Sequence, residues 1–191
     1  MPRLVLCPMP QPTKGVCIGT YEGQPLVVLG KNYVADDRTL TQAEIGEELV
    51  EAVDDAASRV LGHEWVTSLA RLTQLNRRTT SKDRIAKWGL PEYALKLLAE
   101  AAAHSHPRAL GHALLAVLEI QDTCVTAETP TGHPAEVDVT ERNTVAAKTL
   151  RKALVMLDDV LDERFLSQRR KEFQEAQWPY RDEWRSPLTD K

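Results

Sequence analysis

The chain has 191 residues, of which 42% are hydrophobic and 27% charged, with a formal net charge of −4. That length supports one good hydrophobic core, or one core with a small appendage, and the composition is too ordinary for a disordered chain. The negative balance argues against a general polyanion binder, which is usually basic over its working surface, so any nucleic-acid contact has to be local.

The opening residues Met1 to Pro8 hold an apolar run too short for a signal-peptide core. No stretch approaches the roughly eighteen apolar residues of a membrane span, and a cytoplasmic protein is expected. Three cysteines, Cys7, Cys17 and Cys124, are an odd number without a secretory signal. Reduced thiols follow from that, not a disulfide framework.

Residues 3–7, 15–21 and 25–29 are short aliphatic or β-branched runs punctuated by Pro8, Pro10, Pro12, Gly15 and Glu22-Gly23-Gln24-Pro25. This spacing predicts a small three-stranded meander within residues 1–35. Thr41 and Glu44 then form a capping-box pair, with Leu40 and Ile45 placed as the hydrophobic staple of a first helix. Ile45, Leu49, Val53, Ala56 and Val60 recur at helical spacing, Glu44, Glu47, Glu48, Glu51, Asp54 and Asp55 take the other faces, and Gly62 supplies the stop. A second helix is predicted over 64–75, a turn pair over 81–103, and a further helix from Pro107 to about 121.

Thr123 to Ala127, followed by Pro130, Gly132, Pro134 and Glu136 to Val139, reads as a β-hairpin or an extended linker over 122–139. A long helix is predicted over 140–177, with an apolar stripe of Ala146, Leu150, Ala153, Leu154, Leu157, Val160, Leu161 and Phe165. Burial is worth roughly 1.5 to 3 kcal/mol per large side chain, so the stripe should pack on the middle helices or on a second copy of the chain. An aromatic tail, 178–191, completes the single expected domain of residues 1–191. The fold class is mainly α (α+β): a helical bundle with a small N-terminal β-meander and a β-hairpin near 123–139.

The segment 81–103 reads like a helix-turn-helix. Ala86 serves as the small residue in the first helix and Gly89 as the residue tolerating positive φ. Pro91 is then the first residue of the second helix, and Ala94, Leu95, Leu97 and Leu98 its inner face. The distance from Ala86 to Gly89 is one residue short of the usual arrangement. The outward positions of the second helix, Glu92, Tyr93, Lys96 and Glu100, carry no net positive charge, which disfavours base-edge reading. Positive charge gathers earlier: residues 71–87 hold Arg71, Arg77, Arg78, Lys82, Arg84 and Lys87 against Asp83, a net of +5. Such a cluster suits phosphate contact without sequence reading, although basic residues often do no more than solvate a face.

Residues 41–61 carry a net of −5. This acidic helix offers Glu47, Glu51 and Asp54 to a basic partner, or pairs with the basic run inside one molecule. Trp178, Tyr180 and Trp184, interleaved with Arg181, supply a second partner-binding candidate in the tail.

No metal or cofactor is expected. His104, His106 and His112 are spaced two and six apart with Pro107 between them, which does not converge ligands on one helix face. A zinc held by Cys7, Cys17, Cys124 and His133 lacks the usual paired-cysteine knuckle. Phosphate loops, nucleophile elbows and zinc-protease motifs are all missing from the sequence. The expectation is a non-catalytic helical accessory or regulatory protein, a DNA or RNA binder through Arg77, Arg78, Lys82, Arg84, Lys87, Tyr93 and Lys96, and dimeric through its long helix. The alternative is an acidic protein-binding adaptor or inhibitor with no direct nucleic-acid role.

Overall fold

A computed structural model describes residues 3–30, 32–36, 38–126 and 139–177 of the chain. They fall in two compact units, Met1–Asp122 and Thr123–Lys191. The fold class is mainly α with an N-terminal antiparallel sheet.

Strands β1 (Leu4–Leu6), β2 (Val16–Tyr21), β3 (Gln24–Leu29), β4 (Asn32–Ala35) and β5 (Arg38–Leu40) form a meander in chain order. The first three match the runs read from sequence. The sheet has two strands more, because β4 and β5 are only 4 and 3 residues long and Asp36-Asp37 between them looks like loop chemistry. Cross-strand pairing of Val34 with Val27 and Thr39 recruits them. β2 and β3 join through Glu22-Gly23, whose φ values of 49° and 85° match the strand twist of a two-residue hairpin. Gly19 is needed for a different reason: a β-carbon there would meet the Val5 carbonyl oxygen at 2.0 Å, so β1 can pair closely only over a glycine.

One sheet face carries Leu4, Leu6, Ile18, Leu26, Val28 and Tyr33, all buried in the cluster that also holds the inner residues of the helices. Against it lie α1 (Gln42–Leu61) and α4 (Glu92–Ala102). α1 begins where the capping box predicts: the Glu44 carboxylate accepts from the Thr41 backbone N–H at 2.7 Å and from its hydroxyl at 2.9 Å. These bonds, with a smaller contribution from Arg38, hold the Glu44 carboxyl below the usual carboxylate range. The staple residues Leu40 and Ile45 are both fully buried.

α2 (Trp65–Thr73) and α3 (Lys82–Trp88) also pack on α1, and α5 (Pro107–Thr126) crosses its end where Gly111 approaches the Val60 carbonyl. α5 corrects one expectation. Residues 123–126 continue the helix instead of opening a hairpin, because the β-branched run costs only tenths of a kcal/mol per residue while each added residue gains a hydrogen bond. Val139, at its other end, opens a further helix, and residues 127–138, the rest of that predicted hairpin or linker, lie outside the described residues.

In the second unit α6 (Val139–Gln177) runs for 39 residues. Residues 151–172 are exposed on every face, including Leu154, Leu157, Val160, Leu161 and Phe165 of the predicted stripe. Ala146 is buried and Leu150 half-buried. Among the described residues no helix is long and apolar enough to cross a membrane.

Candidate nucleic-acid edge

The basic run is carried by a turn that its own polar groups hold in shape. α2 ends on Gln74 in the left-handed region, φ 55°, with its backbone N–H on the Ala70 and Arg71 carbonyls. Asn76 Oδ1 accepts from the Arg78 backbone N–H at 2.9 Å, and the Asn76 carbonyl accepts from Thr79 N–H at 2.8 Å. Thr80 is fully buried, its hydroxyl 3.0 Å from both the Val66 and Arg77 carbonyl oxygens. Ser81 closes the turn by donating its hydroxyl to the Arg78 carbonyl at 2.8 Å. The backbone between α2 and α3 is thereby tied down while Arg77 and Arg78 stay exposed.

α3 is fixed from the other side by α1. The Gln42 side-chain amide donates to the carbonyl oxygens of Ile85 and Ala86, both at 2.9 Å; the first also accepts the Gly89 backbone N–H at 2.8 Å, and the second is one of the carbonyls that the end of a helix leaves open. Gly89 caps the helix at φ 71°, where a β-carbon would lie 2.6 Å from Tyr33 Oη and 2.8 Å from Gln42 Oε1. Ile85 is the buried anchor, and Arg84 and Trp88, four apart, lie on one outward face.

The segment read as a helix-turn-helix folds as α3 and α4, joined through Gly89, Leu90 and Pro91. Gly89 does take positive φ, and Ala94, Leu95 and Leu98 are buried. Pro91, however, is the residue before the second helix, which starts at Glu92, and Leu97 is only half-buried. Ala86 serves the crossing of α3 with Gly46 of α1. Crossing geometry depends on which helix finds the gap, and local spacing does not say.

The seven proposed nucleic-acid residues do not act alike. Lys82 donates to Asp54 Oδ2 at 2.9 Å, so the acidic helix neutralises one member of the basic run. Lys96 stands 3.9 Å from Glu100. The Tyr93 hydroxyl donates to the Thr73 carbonyl at 3.2 Å, tying α4 to the end of α2 while half of the side chain remains exposed. Arg71, also part of the run, pairs with Glu119 at 2.7 Å and Asp122 at 3.7 Å, and the Glu119 carboxylate raises its pKa. That leaves Arg77, Arg78, Arg84 and Lys87, for which no carboxylate lies within ion-pair distance among the described residues.

Trp88 joins them, and sequence reasoning missed it. The side chain is 67% exposed at the end of α3, with the Lys87 ammonium 5.3 Å from its ring centroid. Beside it Thr79, Arg84, Trp88 and Gly89 line a shallow cavity of about 240 Å³. The available signal was Trp88 standing immediately before Gly89: an aromatic at the very end of a helix has no following turn to cover it. The turn thus exposes Arg77 and Arg78, and α3 exposes Arg84 and Lys87 beside an open aromatic face.

The acidic candidates are partly committed elsewhere. Asp54 accepts from Trp65 Nε1 at 2.7 Å as well as from Lys82, and Lys82, more than the indole, holds its carboxyl below the usual range. Glu47 and Glu51 remain exposed. Trp178, Tyr180 and Trp184 lie outside the described residues.

Among the described residues no three His, Cys, Asp or Glu side chains are placed to hold a metal. His104 Nδ1 instead accepts from the His106 backbone N–H at 3.1 Å, across the break between α4 and α5. Cys7 and Cys17 are free thiols, Cys17 buried and Cys7 half-buried, with burial pushing the Cys7 thiol up.

Fold and edge together define a mainly helical protein on a small meander, with a cationic and aromatic surface on a braced turn. Comparison with protein-family models, curated protein sequences and solved structures finds no match.

Proposed function

We propose that this protein is a non-catalytic accessory or regulatory factor that contacts nucleic acid through Arg77, Arg78, Arg84 and Lys87, with Trp88 as a stacking face. The observation that carries this reading is a hydrogen-bonded turn and the outer face of α3 exposing four cations without an ion pair among the described residues, with Lys87 and Arg84 beside one exposed indole. Cations on such an edge neutralise phosphates without reading bases, and an indole accepts any base, which suits a single strand better than a duplex. The −4 net charge confines the contact to this edge. Lys82, Tyr93 and Lys96 support it by position, each already engaged within the chain.

The test is fluorescence anisotropy of the full chain with labelled single-stranded DNA, duplex DNA and RNA, each at low and near-physiological salt. Binding should fall steeply with salt and be lost in the Arg77→Glu, Arg78→Glu double variant, with the single strands ahead of the duplex. Absence of binding to all three at low salt would end the reading. The second reading, a protein-binding adaptor, rests on a groove of about 290 Å³ between β1 and α1, bordered by Val5, Glu51, Asp55 and Arg59. Charge reversal at Glu51 and Asp55, which border the groove, would abolish partner capture in that case and leave nucleic-acid binding untouched.

A further inference from the structure

The exposed face of α6 is self-complementary in only one direction. Leu154, Leu157 and Leu161 are 62%, 54% and 50% exposed, and with the half-buried Leu150 they recur at alternating spacings of four and three. That is the seam of a two-stranded coiled coil, which wants a second helix over it. The seam is short, about 17 Å at 1.5 Å per residue. Arg164, which falls at the next seam position, ends it.

The charges beside the seam differ on its two flanks. One flank carries Arg151 and then Asp158; the other carries Ala153 and then Val160. All four are exposed. In a parallel pair each flank faces the partner's opposite flank, so Arg151 and Asp158 would meet apolar side chains and Arg164 would meet its own copy. In an antiparallel pair like flanks face each other. A two-fold axis between Val155 and Met156 then sets Leu154 on the partner's Leu157 and Leu150 on the partner's Leu161. The same axis sets Arg151 beside the partner's Asp158, twice by symmetry, and Ala153 beside the partner's Val160. Apolar pairing and charge pairing agree in this one register.

We infer that α6 docks on a second copy of itself as an antiparallel pair centred between Val155 and Met156. This surface is independent of the nucleic-acid edge, which lies in the other unit of the chain. Four leucine layers bury less than the roughly 1,600 Å² of a standard interface, so the dimer dissociates measurably on dilution. Arg151 and Asp158 are a full two turns apart within one helix and cannot pair with each other there, which leaves their interaction to the dimer.

The test is sedimentation equilibrium of the full-length protein over roughly three decades of concentration around micromolar. Leu157→Asp should leave only monomer. Arg151→Glu and Asp158→Arg, each alone, should weaken the dimer about tenfold, because each turns two attractions into two repulsions. Combined, they should restore it to within about threefold of the parent. Helicity by circular dichroism confirms that each variant is folded. Monomer at every concentration, a dimer indifferent to Leu157→Asp, or a double reversal no tighter than the single ones would each overturn the inference.

Discussion

A β-carbon added to Gly46 of α1 would sit 2.2 Å from the carbonyl oxygen of Ala86 on α3, so the two helices touch backbone to backbone at that point. This contact sets how far the Arg84 and Trp88 face stands from the core. It also reverses an ordinary expectation, because glycine inside a helix normally costs up to about 1 kcal/mol relative to alanine.

Gly46→Ala is therefore expected to destabilise the protein by about 1 to 3 kcal/mol, the cost of overpacking outweighing the gain in helix propensity. Urea denaturation measures it. An unchanged or raised midpoint would mean that α3 is free to move away from α1.

Asp54 joins three elements, accepting from the indole of the buried Trp65 and from Lys82. Asp54→Ala leaves the indole N–H without its acceptor and should cost about 1 to 3 kcal/mol, whereas Asp54→Asn retains an acceptor oxygen and should cost less. Lys82→Ala should stay within about 1 kcal/mol, since both partners are more than a third exposed and water screens the pair. The lowered carboxyl also sets a direction for pH. Its contribution is fully present above the unfolded value near 3.9 and is lost as pH falls through the lower folded value. Acid denaturation of Asp54→Asn should show a shallower loss below about pH 4 than the parent. Parallel curves for the two proteins would remove Asp54 as the titrating group.

Tyr33 stands against Gly89 with its hydroxyl buried, and burial pushes its pKa up to about 12. The neutral phenol is the form that the fold accepts. Stability is full below the unfolded value near 10 and declines as pH rises from there through about 12. Alkaline titration followed by tyrosinate absorbance should show one late component that Tyr33→Phe removes. If the variant keeps that component, another tyrosine is responsible.

Trp88→Ala removes a side chain that is 67% exposed, so the unfolding midpoint should move by no more than about 0.5 kcal/mol equivalent. Its effect should fall on binding: a loss of about 1 to 3 kcal/mol toward single-stranded nucleic acid, with a duplex much less affected. Arg84→Ala should instead weaken all three nucleic acids together and reduce the salt dependence. Equal losses on single strands and duplex in Trp88→Ala would argue against stacking.

The features that sequence alone determined are those whose partners lie within a few residues. Thr41 and Glu44 cap α1 over a span of three, and Gly62 and Gly89 stop helices by their own backbone freedom. The first three strands are likewise set off by the prolines and glycines between them. Tertiary structure alone decided β4 and β5, because strands of four and three residues exist only through pairing with their neighbours. It also decided which cations remain available. Lys82 finds Asp54 across 28 positions and Arg71 finds Glu119 across 48, leaving the turn and the outer face of α3 without an ion pair among the described residues. Trp88 belongs to that edge for the same reason, since exposure depends on what packs over a side chain. A spacing records local periodicity; the occupant of the space beyond it is chosen only when the chain closes on its core.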